Sequence, residues 1–285
     1  ADFNGVLTTS SFTFKKLQSG LVLGQEGKAA TIQIDSALAL DNSLTVYAGE
    51  LEIDGALTIN AGSSHELDLH VRTSAEQSAA ITADTLALHG IGDFTLDHGS
   101  NSVGTLAGGS SDTKLGSLTF VNSGALTIGA VNPTGITASG EVDISTKTGD
   151  LIVAEAITTD SDSANAVVLN ASSDVDISDG DQSTTTTADD VPGVDGDTGG
   201  NVKITMANPS QAISIGQGGR ATVYTGSLSI ADPDSRDVVE SGDGNGDGLV
   251  EYGAGRVRYG SDETTTRFSA ALGGGIYAVF RERPE

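Results

Sequence analysis

The sequence predicts an all-β protein, a parallel β-helix in which short strands stack as successive coils of a solenoid. One observation behind this prediction is composition: 37% of the 285 residues are hydrophobic, but only 4% are aromatic, with 38 Gly, one Met and no Trp. Such a chain can fold, and its core must be thin and built from small aliphatic layers. Abundant Asp, Ser and Thr favour turns and strands over helices, because their side chains compete with helical backbone hydrogen bonds.

A repeated motif is the second observation. The pattern Gly-x-[Leu/Val]-x-[Ile/Val/Phe] occurs eight times, starting at Gly49, Gly55, Gly116, Gly124, Gly140, Gly149, Gly200 and Gly226. Its two apolar residues lie two positions apart, so both side chains point to one face of a strand. We expect the leading glycine to supply a positive φ or a tight corner before each strand.

Alternation without a leading glycine is the third observation, as at Ile32 and Ile34 or at Leu44 and Val46. Strands this short bury an apolar face only when like strands stack above and below them. Alternate copies of the motif, such as Gly116 and Gly140, lie roughly 24 to 26 residues apart, which is typical of solenoid coils.

A β-sandwich is the second fold that regular short strands could form. Two features count against it. Sandwich cores usually contain more aromatic residues, and only Asp54-Gly55 places a hairpin dipeptide between two alternating strands.

Composition changes near Gly218, since seven of the eight Arg and six of the twelve Phe and Tyr residues follow it. We predict a β-helix domain over residues 1–217 and a C-terminal cap or assembly segment over 218–285, because open solenoid ends expose unpaired strand edges. Within the first domain, residues 174–200 form an acidic loop with eight Asp. Either bound cations or packing alone could order this loop.

The segment from Asp243 to Glu251 reads DGNGDGLVE and predicts a calcium site. Oxygen ligands at alternate positions followed by glycine match the first half of an EF-hand loop. Asp243, Asn245 and Asp247 would supply side-chain oxygens, Leu249 a backbone carbonyl, and Glu251 a carboxylate. Position 12 is Ala254, so the bidentate ligand of a full EF-hand is missing; an acidic surface turn is the alternative.

His65, Glu66, Asp68 and His70 suggest a metal or acid–base cluster. On a strand, however, Leu67 and Leu69 would face inward while Glu66, Asp68, His70 and Arg72 alternate outward, and His65 falls on the opposite side from His70. We therefore expect a solvated strand face. His89 shows no partner in the sequence.

Net charge and composition argue against several functions. A charge of −25 disfavours nucleic acid and anionic membranes as partners and favours cations. The absence of Cys excludes disulfides and thiolate chemistry, and no apolar run is long enough for a membrane helix. No catalytic motif occurs and we expect no enzyme, although paired carboxylates leave a polysaccharide lyase or hydrolase as a distant alternative.

The segments LTVYAGELEIDGALTINAG (44–62) and GEVDISTKTGDLIVAEAI (140–157) resemble the repeat regions of filamentous-haemagglutinin-like adhesins of two-partner secretion systems. GGRATVYTGSLS and the final residues, from YGSDETTTRF onward, resemble the C-terminal end of such adhesins. The resemblance implies a right-handed β-helix, export to the surface of a Gram-negative bacterium, and no catalytic residues.

The expected role is multivalent adhesion to a host or neighbouring-cell surface or glycan, with calcium stabilising the chain. A self-assembling extracellular filament or matrix subunit, stacking end to end as a homo-oligomer, is the nearer alternative. The opening residues ADFNGVLTT lack a basic segment and an apolar run, so we expect a signal peptide to have been removed or to lie upstream.

Overall fold

The structure is a computed structural model, and it describes residues 6–9, 20–60, 65–173, 199–226, 257–259, 263, 268 and 272–281. These residues form an all-β protein of parallel strands in two compact units. Unit 1 comprises Ala1–Ser123 and Ile128–Gly140, and unit 2 comprises Gly124–Thr127 and Glu141–Glu285. In the described part of the chain, no helix has the length and apolarity that crossing a membrane requires.

Unit 1 contains short strands and three longer ones, and the two halves of each longer strand pair, on one side, with different neighbouring strands. The strands are β1 Val6–Thr8, β2 Leu21–Gly24, β3 Thr31–Ile34, β4 Leu38–Leu40, β5 Leu44–Ile53, β6 Leu57–Ile59, β7 Leu67–Gln77, β8 Ile81–His89, β9 Asp93–Leu96, β10 Ser102–Gly108, β11 Leu118–Asn122 and β13 Ile136–Ala138; β12, Leu126–Ile128, falls across the division between the units.

The strands of unit 1 pair in parallel and in register along three sets. The first set uses β2, the first halves of β5 and β7, and the second halves of β8 and β10, and it aligns Leu21, Leu44, Leu67, Leu86 and Leu106. Successive residues in this alignment are 23, 23, 19 and 20 positions apart in the sequence, and each of these spacings is the length of one circuit of the chain. All four of these circuits are shorter than the predicted 24 to 26 residues.

Two further sets complete each circuit. One passes through β3, β5, β7, β9 and β11 and aligns Ile32, Leu51, Ala75, Phe94 and Leu118. The other begins with β4, β6 and β8 and aligns Leu38, Leu57 and Ile81. Every strand pair with an assigned register in the described residues is parallel, whereas a β-sandwich is built from antiparallel strands.

The core of unit 1 consists of the alternate apolar residues that the sequence pattern predicted to face inward. Leu44 and Val46 are fully buried, as are Ile32 and Ile34. Thr45, between them, is partly exposed. Because inward apolar residues of neighbouring circuits are aligned, the core of unit 1 is a continuous apolar column rather than a set of isolated hairpins.

The predicted tight corner is confirmed at Gly55, Gly116, Gly124, Gly140 and Gly149, which lie at bends of the chain, whereas the predicted positive φ is not general. Of the described glycines that lead the motif, only Gly149 has a positive φ, at 79°. At Gly55, a Cβ atom would lie 2.2 Å from the backbone carbon of Ser36 in the preceding circuit, and at Gly200 it would lie 2.2 Å from the carbonyl oxygen of Gly149. At Gly55 and Gly200 a glycine is needed because adjacent circuits approach too closely for a side chain, whereas a Cβ atom at Gly124 would meet nothing within 4 Å.

Unit 2 uses the same parallel pairing. Its strands are β14 Val142–Thr146, β15 Leu151–Val153, β16 Ile157–Thr159, β17 Val167–Asn170, β18 Val202–Ile204, β19 Ile213–Ser214, β20 Arg220–Thr225, β21 Val257–Tyr259 and β22 Gly275–Phe280, with a short 3-10 helix at Pro209–Gln211. One set aligns Val142, Val167, Ala221 and Ile276. The chain between β15 and β18 contains the acidic loop, of which Gly199 and Gly200 are described.

The C-terminal strand β22 lies inside the parallel set of unit 2, because it pairs with β20 on one side and with β21 on the other. Tyr277 and Phe280 are fully buried. Arg281 directly follows the strand and is also buried, donating to the carbonyl oxygen of Ala171 at 2.6 Å and to Oδ1 of Asn170 at 2.7 Å. The boundary predicted at residue 217 falls between β19 and β20 and stays a prediction.

Candidate functional site

A row of aromatic and imidazole rings runs along the outer face of unit 1. Gly24, Tyr47, His70 and His89 occupy the same outward position in four successive circuits, because the strands are parallel and in register. The ring centroids of Tyr47 and His70 are 4.4 Å apart with a tilt of 32°, and those of His70 and His89 are 4.2 Å apart and nearly parallel, at 7°. We call Tyr47, His70 and His89 the ring ladder.

Burial and the nearby carboxylates have opposite effects on the pKa of His70. Burial lowers the pKa of His70 and the neighbouring His89 lowers it further, whereas the carboxylates of Asp68 and Glu26 act in the opposite sense. Asp68 Oδ1 also lies 3.8 Å from Nε2 of His89. His70 is therefore held as a neutral imidazole to lower pH than a solvent-exposed histidine.

A groove of about 310 Å³ lies beside the ring ladder. We call it the ring groove. Its lining includes Glu26, Lys28, Tyr47, His70, Arg72 and Ile91. The groove combines ring surfaces, charges of both signs and the side chain of Ile91, which is 63% exposed. Such a mixture suits a small ligand with an apolar face and polar substituents.

Arg72 is held at the ring groove by a hydrogen bond from its Nη1 to the carbonyl oxygen of Gly27, 3.1 Å away. Its side chain is exposed. Among the described residues, it forms no ion pair with a carboxylate. The absence of an ion pair between Arg72 and a described carboxylate is unusual for this composition, because the chain has 39 acidic residues and only 14 Lys and Arg.

Glu66 lies in a second cleft of about 340 Å³, with His65, Thr85, Thr105 and Asn132 among its lining residues. Burial raises the pKa of Glu66, and the charge of Asp68 raises it further, while His89 lowers it. The Oε1 atom of Glu66 is buried and accepts no hydrogen bond from the part of the chain that the structure describes. Glu66 therefore keeps its proton to higher pH than an exposed glutamate.

The predicted solvated strand face over residues 66–72 is confirmed in its alternation. Leu67 and Leu69 are fully buried, whereas Asp68 and His70 are partly exposed. Nδ1 of His65 lies 3.2 Å from the carbonyl oxygen of Asn60.

Sequence reasoning missed the stacking of His70 on His89. These residues are 19 positions apart, and the same offset separates Leu67 from Leu86. The sequence would reveal this pair only if the length of that circuit were known. The two preceding circuits do not supply it, because both are longer.

The predicted calcium ligands Asp243, Asn245, Asp247, Leu249 and Glu251 lie outside the described residues, as do residues 174–198 of the acidic loop. Within the described ranges, no group of three or more His, Cys, Asp or Glu side chains is placed to hold a metal ion. Calcium binding at residues 243–251 stays a prediction.

Comparison of the chain with protein-family models, with curated proteins and with solved structures gave no match. We therefore infer its function from the register of its strands and from the outer face of unit 1.

Proposed function

We propose that this chain is a right-handed parallel β-helix that acts as an extracellular adhesive scaffold of a bacterial surface protein. The observation that supports it most is the register of unit 1, where Leu21, Leu44, Leu67, Leu86 and Leu106 align in parallel strands. Each circuit returns the chain to the same outward position. The resemblance of residues 44–62 and 140–157 to adhesin repeats supports the handedness and the surface location.

Repetition gives such a scaffold its binding strength. In-register circuits place outward side chains about 4.8 Å apart along a face, so one chain can present many similar contacts. Contacts that are weak individually become strong together when many copies are held on one surface. The partner in this proposal is a glycan or protein on a host or neighbouring cell.

Calcium belongs to the proposal as a structural ion. Asp243, Asn245, Asp247, Leu249 and Glu251 provide hard oxygen ligands, the type that Ca²⁺ prefers. The net charge of −25 gives any bound cation an additional favourable electrostatic interaction. Removal of calcium should therefore destabilise the C-terminal part of the chain without changing the parallel strands of unit 1.

Adhesion is tested with beads that carry many copies of the chain, applied to cell surfaces and to glycan-coated surfaces. We expect the beads to be retained in a copy-number-dependent manner, while the free chain competes only at high concentration. Absence of retention on every surface would contradict the adhesive function.

The two alternatives give different results. Negative-stain microscopy with calcium and with a chelator should show single particles in both conditions, and calcium-dependent fibres would instead support a filament subunit. Incubation with acidic and neutral glycans should release no product. Product release that is lost on substitution of one outward Asp would establish a lyase or hydrolase and overturn the proposal.

A further inference from the structure

We propose that the ring groove of unit 1 binds a hexuronate, a six-membered sugar ring that carries a carboxylate. This ligand would give the adhesive scaffold its target, an acidic glycan. Its biological role rests on the proposed function, whereas the binding itself depends only on the ring groove.

Among the described residues of unit 1, the basic side chains belong to the lining of this groove or to the residue that follows a lining residue in the chain. The Lys and Arg residues among the described positions of unit 1 are Lys28, Arg72 and Lys114. Lys28 and Arg72 line the ring groove, and Lys114 directly follows Thr113, another lining residue. In the described part of unit 1, an anionic ligand therefore meets basic side chains at one location, within a chain whose net charge is −25.

Arg72 provides the geometry for a carboxylate. A guanidinium has five N–H donors in a planar fork, and one hydrogen bond, to the carbonyl oxygen of Gly27, fixes the group. The remaining donors can bind both oxygens of a carboxylate at once. No described carboxylate occupies that position, so a ligand would not have to displace an existing ion pair.

Tyr47 provides the surface for the sugar ring. His70 covers one side of its ring, at 4.4 Å, and the aligned position in the preceding circuit is Gly24, which has no side chain. A Cβ atom at Gly24 would lie 2.0 Å from the carbonyl oxygen of Tyr47, so a larger residue cannot occupy this position. The C–H groups of a pyranose pack well on the negative face of an aromatic ring.

The volume of the ring groove and its hydrogen-bonding groups restrict the choice of ligand further. A volume of about 310 Å³ is at the small end of the range for ligand pockets, so it suits one sugar residue. The Glu26 carboxylate can accept hydrogen bonds from sugar hydroxyls, and Ile91 extends the apolar surface. A neutral sugar would leave Arg72 without a carboxylate, and a simple anion would leave Tyr47 without a ring to contact.

The direct test is a titration of the full chain followed by saturation-transfer and ¹H–¹⁵N NMR. Glucuronate, galacturonate, glucose and acetate are the probes. We expect one of the hexuronates to saturate a site with shifts at Tyr47 and Arg72, and glucose and acetate to bind at least about tenfold more weakly. Absence of binding by both hexuronates, or equal binding of glucose or acetate, would overturn the proposal.

Variants locate the site. Arg72→Gln should lower hexuronate affinity at least about tenfold, and Ile91→Ser, at an exposed position, should lower it severalfold. Lys203→Gln removes the same charge from unit 2, where Lys203 pairs with Asp150 at 3.0 Å, and should leave affinity unchanged. Each variant must retain the thermal transition of the parent. Parental affinity in folded Arg72→Gln would contradict the assignment.

Adhesion assays on surfaces coated with a polyuronate separate this inference from the proposed function. Beads that adhere equally well with Arg72→Gln would overturn the ring groove as the binding site and leave the adhesive function intact. Hexuronate binding without adhesion of the beads to polyuronate or to any of the cell and glycan surfaces would leave the site intact and overturn the adhesive function.

Discussion

The side-chain amides of Gln77 and Asn101 form a reciprocal pair, in which each donates a hydrogen bond to the other's carbonyl oxygen at 2.9 Å. Asn101 is fully buried. It also accepts a hydrogen bond from the backbone N–H of Ile81 at 2.8 Å and donates to the carbonyl oxygens of Leu96 and Val121. One side chain thus satisfies the backbone of three successive circuits, at a corner where no strand partner can do so.

Asn101→Ala should destabilise unit 1 by about 3 kcal/mol, because it leaves buried backbone groups without partners. Urea unfolding of the parent and the variant measures this loss. Asn165→Ala, at an exposed position, is the matched control and should change stability by less than about 0.5 kcal/mol. Equal stability of the two variants would show that Asn101 does not connect the circuits.

Gly90→Ala should destabilise the chain more than Gly218→Ala. The two glycines have nearly the same positive φ, 96° and 91°. A Cβ atom at Gly90 would lie 2.0 Å from the carbonyl oxygen of Val71, whereas at Gly218 it would meet nothing within 4 Å. We expect Gly218→Ala to cost about 1 kcal/mol for the strained φ, and Gly90→Ala at least about 2 kcal/mol more. Similar losses in urea unfolding would argue against close stacking at Val71.

Asp143→Asn should stabilise unit 2 at neutral pH. Burial raises the pKa of Asp143, and the charge of Glu141 raises it further, so ionisation is less favourable in the folded chain than in the unfolded chain. The folded state therefore loses stability as the pH rises through the raised pKa. Thermal unfolding at pH 7 should show a higher Tm for the variant, and the gain should disappear below about pH 3.8, where aspartate is protonated even when unfolded.

The control for this experiment is Asp162→Asn, at an exposed position in the same unit. It should leave the Tm at pH 7 nearly unchanged. A Tm gain for Asp143→Asn that is constant between pH 3 and pH 7 would rule out relief of an ionised, partly buried carboxylate.

Unit 1 should lose stability in acid because of His70. Its lowered pKa means that the unfolded chain takes up a proton more readily, so the contribution of His70 is complete above about pH 6.5 and is lost as the pH falls through the folded pKa. The groups that face it are Tyr47, His89, Asp68 and Glu26. His70→Gln should flatten the dependence of unfolding free energy on pH between 7 and 5.

His65→Gln is the control for His70, since His65 contacts the Asn60 carbonyl rather than the ring ladder. It should retain the pH dependence of the parent. If both substitutions leave that dependence unchanged, the His70–His89 stack does not limit protonation.

The inward face of the strands could be predicted from the sequence. The motif copies that start at Gly55 and Gly124 placed Leu57 and Ile59, and Leu126 and Ile128, on one face, and all four are buried. Alternation suffices for this because a one-residue slip would expose every one of these side chains.

The candidate site could not be predicted in the same way. The contacts among Tyr47, His70 and His89 depend on circuits of 23 and 19 residues, and the sequence motif carries no marker for that change in length. Asn101 was also missed, since its partners lie 20 and 24 residues away in other circuits. The signal that could have identified Asn101 is an amide side chain at the corner between two apolar strand segments, because a buried amide there must have hydrogen-bond partners.

The parallel register itself is tested most directly by introduced disulfides, because the chain has no cysteine of its own. Thr58 and Thr82 are aligned partners on neighbouring strands, a separation that a disulfide can span. After oxidation and thiol alkylation, mass spectrometry should find the pair Thr58→Cys and Thr82→Cys closed within one chain, whereas Thr58→Cys with Thr95→Cys should keep two free thiols. A closed bond in the second pair and free thiols in the first would contradict the stack of parallel circuits.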